Sequence, residues 1–117
     1  MPRQVSGEPY YRLTLDEAGE MYGGDDVVIV DVRRMDEYLE GHVKDAIFIT
    51  VDDILARIDE LPEDKKLLFI CAAGVRSGLA CEMAAAMGVD SERLFNIEDG
   101  TGPWIEKGLP SSTGMDV

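Results

Sequence analysis

The sequence predicts an α/β fold, a three-layer sandwich in which a central, mostly parallel, five-stranded sheet carries helices on both faces. Two apolar runs without alternation, Val27-Val28-Ile29-Val30 and Leu67-Leu68-Phe69-Ile70, have the pattern of strands covered on both sides. Helical stretches alternate with such strands, so crossovers are right-handed and ligands belong at the carboxyl ends of the strands. At 117 residues the chain is one domain, large enough to bury a single core without staples.

Each element has a local reason. Residues 1–9, polar and broken by Pro2, Gly7 and Pro9, read as a flexible arm; the folded domain spans 10–110, and 111–117 read as a flexible tail. A short strand from Tyr11 to Leu13 precedes Thr14-Leu15-Asp16-Glu17, a capping box that starts a helix running to Tyr22 and stopping at Gly23-Gly24. The Val27 strand leaves through Asp31-Val32-Arg33. A short helix from Asp36 to Glu40 closes at Gly41, and Ala46-Ile47-Phe48-Ile49 is the next strand. Thr50 then caps a helix through Ile54, Leu55 and Ile58 that Pro62 ends. After the Leu67 strand, Ala80, Met83, Ala84 and Met87 recur at helical spacing, which predicts a helix from Ser77 to Met87 capped by Gly88. Leu94-Phe95-Asn96-Ile97 is the last strand, and Asp99-Gly100-Thr101-Gly102 turns into a short helix carrying Trp104.

Eleven basic and twenty-four acidic residues give a net charge of -13, which disfavours nucleic acid and anionic membranes as partners. Two cysteines ten positions apart, with no signal-like amino terminus and no long apolar run, predict a cytoplasmic protein of a reducing compartment. No CxxC, HExxH or His/Cys cluster is present, and with one histidine the sequence implies neither a metal nor another cofactor.

The chemistry concentrates in Cys71-Ala72-Ala73-Gly74-Val75-Arg76-Ser77, which joins the carboxyl end of a buried strand to the amino end of a helix. Unpaired backbone N–H groups and the positive pole of the helix favour thiolate over thiol there. Cys71 is therefore the expected nucleophile, as an exposed, activated thiol. The N–H groups of Ala72 through Ser77 are the expected cradle for its charge or for a bound anion. Gly74 lets the loop curl. Arg76, the one fixed positive charge in the loop, is the expected holder of an anionic donor. Ser77 either caps the helix or donates a hydroxyl. Asp31 and Arg33 should meet the loop at the same sheet edge. Cys81 reads as a core-facing residue rather than a resolving thiol.

Asp31-Val32-Arg33, Glu37-Tyr38, Gly41-His42-Val43, Ala46, the Cys71 loop, Asp99-Gly100, Trp104 and Gly108-Leu109-Pro110 together resemble the single-domain rhodanese family, over almost the whole chain. The resemblance implies a sulfurtransferase. Its cysteine takes the outer sulfur of a small anionic donor such as thiosulfate, becomes a persulfide and passes the sulfur to cyanide, a thiol or a protein acceptor. It also implies that Asp31 and Arg33 are scaffolding for the cysteine loop and that His42 belongs to a structural turn. The six residues from Cys71 to Arg76 match the sulfur-transferring members, whereas relatives that act on phosphate or arsenate have a longer loop. Ala72, Ala73 and Val75 depart from the family in lacking the basic residues of many thiosulfate users. That leaves a phosphatase or arsenate reductase, and a sulfur-carrier or interaction module without turnover, as alternatives.

Overall fold

A computed structural model describes residues 2–117. In chain order the elements are β1 (Tyr11–Leu13), α1 (Leu15–Met21), β2 (Val27–Asp31), α2 (Met35–Glu40), β3 (His42–Val43), β4 (Ile47–Phe48), α3 (Ile54–Arg57), β5 (Lys66–Ile70), α4 (Val75–Ala86), β6 (Leu94–Ile97), α5 (Thr101–Glu106) and β7 (Ser111–Ser112). The central sheet has the order β1-β6-β5-β2-β4, with every neighbouring pair parallel. A second, two-stranded sheet pairs β3 with β7 in antiparallel register.

Side chains of β5 alternate between the two faces, as the period of a strand requires. Leu67 and Phe69 join Val30, Ile54, Ala80 and Ala84 beneath α3 and α4, while Leu68 and Ile70 join Ala18, Ile97 and Trp104 beneath α1 and α5. Cys71 continues the first set. It is thereby aimed toward α4, not away from the sheet.

Several elements differ from expectation. The helix expected after Thr50 is a broken series, with 3-10 turns at Val51–Asp53 and Ile58–Glu60 on either side of α3. Helix α4 starts two residues early, at Val75, because Gly74 takes a left-handed conformation (φ 88°, ψ -6°) and makes the turn itself. Its buried side is Ser77, Ala80, Cys81 and Ala84, and Met87 is 52% exposed, so the core stripe is shifted from the one read off the methionines.

The terminal segments also make defined contacts. Arg3 forms an antiparallel bridge with Arg12 at the open edge of β1. Beyond residue 110, β7 pairs with β3, whose edge offers unpaired backbone groups, and the Gly114 N–H donates to the carbonyl of Leu39 in the last turn of α2 at 2.8 Å.

Candidate active site

The loop is built by what holds its backbone. The Thr101 N–H and hydroxyl both donate to the Cys71 carbonyl, at 2.9 and 3.2 Å. Gly100, at φ 86° and ψ -177°, lies so close that a Cβ there would stand 2.0 Å from the Ala72 carbonyl oxygen. A Cβ on Gly74 would meet the Glu98 carbonyl at 2.9 Å. These two glycines let the β6–α5 turn press directly against the loop.

Within this frame the Cys71 sulfur receives the Gly74 N–H at 3.1 Å and lies 3.3 Å from the Ser77 hydroxyl. Burial pushes the thiol up, but hydrogen bonds from the Ser77 hydroxyl and from the N–H groups of Ser77, Ala73 and Gly74 outweigh it, leaving the Cys71 pKa below that of an ordinary thiol. The sulfur thus has an amide cradle at the start of a 12-residue helix. It is not exposed as expected, however. Cys71 is only 1% accessible because its side chain extends the core-facing row of β5, so the thiol forms the floor of the loop while Ala72, Ala73 and Val75 form its exposed rim.

Ser77 serves as a hydroxyl partner and not as the helix cap. Its single hydroxyl proton goes to the Asn96 Oδ1, 2.5 Å away, while Cys71 is a thiol donating to the Ser77 oxygen, and turns to the sulfur when Cys71 is a thiolate; the Asn96 amide donates onward to the Gly74 carbonyl at 3.0 Å. Asn96 therefore ties the middle of the loop to its helical end from β6. Sequence reading passed over it, although a single amide in the otherwise apolar run Leu94–Ile97 was the available signal.

Arg76 is not a free cation. Its Nη1 and Nη2 donate to the two carboxylate oxygens of Glu37 at 2.6 and 2.9 Å, and these bonds hold the Glu37 carboxyl at a pKa of about 2. The reach from α2 across to α4 is tertiary, and nothing in the spacing of the two residues announces it. Asp31 and Arg33 lie apart from the sulfur's hydrogen bonds. Arg33 donates to both Asp31 oxygens, at 2.7 to 3.1 Å, and to the Gly41 carbonyl at 2.7 Å, which ties the end of β2 to the end of α2. That tie fixes the helix bearing Glu37.

His42 stacks on Tyr38 with ring centres 3.7 Å apart, and its nitrogens face the carbonyls of Tyr38 and Asp116, far from any role as a base for Cys71. Cys81 is fully buried, and burial pushes its thiol well above the usual range. Among the described residues no group of three or more His, Cys, Asp or Glu is placed to hold a metal ion, and no helix is long and apolar enough to cross a membrane. A surface groove of about 670 Å³ is lined by Ala73, Gly74 and Val75 together with Tyr10, Arg12 and Glu82; Cys71 is not among its walls.

A parallel α/β sandwich that presents a cysteine sulfur to an amide-lined loop at a helix amino end defines a class of thiol-bearing domains. The rhodanese-like domain model matches residues 14–107, and this chain belongs to the rhodanese-like family. It is 33% identical over 86 residues to a sulfurtransferase of Allochromatium vinosum, covering 74% of this chain and 78% of that one. It is 24% identical to the thiosulfate sulfurtransferase GlpE of Actinobacillus pleuropneumoniae, over 91% of this chain and 96% of the relative. A solved structure from Rhodopseudomonas palustris, described as a protein of unknown function and possible tyrosine phosphatase, superposes with a TM-score of 0.75 at 29% identity, covering 96% of this chain and 99% of that one.

Proposed function

We propose that this protein is a cytoplasmic sulfurtransferase that moves a sulfane sulfur through a persulfide on Cys71. The supporting observation is the amide and hydroxyl cradle that lowers the Cys71 pKa, in a chain whose family includes proteins named for that activity. The thiolate attacks the outer sulfur of the donor, a new S–S bond forms to Cys71, and the donor's own S–S bond breaks. With thiosulfate the electron pair leaves on sulfite; with an organic persulfide it leaves on a thiolate. The acceptor then attacks the outer sulfur and Cys71 departs as thiolate, yielding thiocyanate from cyanide or a new persulfide from a thiol or protein cysteine. Atoms and charge balance in both halves without a further cofactor. A persulfide anion carries its charge on the outer sulfur, one S–S bond beyond the Cys71 sulfur, and the N–H groups of the surrounding loop can stabilise it there.

The test is intact mass spectrometry after incubation with donor. One added sulfur on the wild type, lost on Cys71→Ser, is the expected result; no addition, or equal addition to the variant, refutes the reading. The relative described as a possible tyrosine phosphatase supports a second reading, phosphate ester hydrolysis, which the six-residue span from Cys71 to Arg76 disfavours. Cysteine-dependent hydrolysis of an aryl phosphate without sulfur loading would reverse the order of the two.

A further inference from the structure

We propose that Glu37 is a specificity-determining residue that tunes the Cys71 site toward donors of low charge, namely thiol-bound persulfides, and against thiosulfate, by holding Arg76 in a neutral pair. The proposal rests on the sulfurtransferase reading above. Thiosulfate is a dianion, so holding it beside a buried sulfur calls for uncompensated positive charge in addition to backbone N–H groups. The loop supplies none. Ala72, Ala73, Gly74 and Val75 carry no charge, and the Arg76 charge is matched by Glu37, which takes one N–H from each of its terminal nitrogens. The nearby Arg33 is likewise matched by Asp31, and the whole chain carries a charge of -13 that repels an approaching dianion.

Glu37 is no accidental neighbour. The Arg34 N–H donates to its Oε1 at 3.1 Å, and the Arg33 bond to Gly41 secures the far end of the same helix, so the carboxylate is held from its own helix as well as by Arg76. An alkyl persulfide brings one negative charge at most, and its transferred sulfur needs only the amide cradle. The attack, the broken S–S bond and the departing thiolate are those given above for an organic persulfide.

The experiment is single-turnover sulfur loading of Cys71, followed by mass, with thiosulfate and with a small alkyl persulfide, on the wild type, Glu37→Gln and Glu37→Asp. The wild type should load faster from the persulfide. Glu37→Gln should speed loading from thiosulfate about tenfold or more while changing the persulfide rate by less than about twofold, and Glu37→Asp, which keeps the charge, should retain the wild-type preference. A wild type that loads from thiosulfate as fast as from the persulfide overturns the proposal whatever the variants do. So does a folded Glu37→Gln whose two rates change alike. If neither donor loads a wild-type Cys71 that still alkylates readily, the sulfurtransferase reading itself fails, and the selectivity falls with it.

Discussion

Replacing Gly100 with alanine should destabilise the fold by about 3–5 kcal/mol and disarm Cys71 without touching it. The backbone at this position has φ 86° and ψ -177°, a region reserved in practice for glycine and costing a side chain about 1–3 kcal/mol. The added Cβ would also stand 2.0 Å from the Ala72 oxygen and 2.5 Å from its carbon, so that peptide must retreat until the gap reaches the 3.4 Å of ordinary contact. Such a retreat pulls the Cys71 carbonyl from the Thr101 N–H and hydroxyl, two hydrogen bonds worth about 1 kcal/mol each. The N–H of Gly74 moves off the sulfur with the loop. Urea unfolding measures the first effect, and the pH dependence of Cys71 alkylation measures the second, with the thiol pKa rising in the variant. A loss below about 1 kcal/mol together with an unaltered alkylation profile would refute the account of how the loop is held.

Three further outcomes are expected. Ser77→Ala removes the hydroxyl that can turn to the Cys71 thiolate and help lower its pKa, so alkylation should need higher pH than in the wild type; an unchanged profile would assign the activation to the backbone alone. Arg33→Met leaves Asp31 fully buried without its partner and should cost about 3–5 kcal/mol by urea unfolding, whereas a loss under about 1 kcal/mol would show the pair to be dispensable. Acid should weaken the fold through Glu37. Its folded pKa of about 2 lies below the ordinary 4.5, so the contribution is complete above that ordinary value and is lost as pH falls toward 2. Glu37→Gln should flatten this part of the stability curve, and an identical acid limb in the variant would remove Glu37 from the explanation.

What the sequence disclosed was what is encoded locally. The runs at Val27, Leu67 and Leu94 are apolar because both faces of their strands are covered, and they fall on β2, β5 and β6 as read. The Thr14 capping box likewise needs only its own neighbours, and it forms as expected. Strands β3 and β7 escaped notice because two residues each carry no periodicity; their pairing depends on the chain's return from β6 and α5. The partner of Arg76 went unread for a similar reason. Its counterion sits 39 positions away on α2, and only the β2 to α2 connection brings the two together. Cys71 looked exposed because its place after a strand was legible, but the face of the sheet toward which it points was not.

The two thiols of this chain live under opposite conditions only ten positions apart. Cys71 lies under inward-pointing amides that ease loss of its proton, and Cys81 lies sealed in hydrocarbon that resists it. A mild alkylating reagent at neutral pH should therefore tag a native molecule once and an opened one twice. Adduct mass then becomes a census of unfolding, taken molecule by molecule with no dye or engineered label.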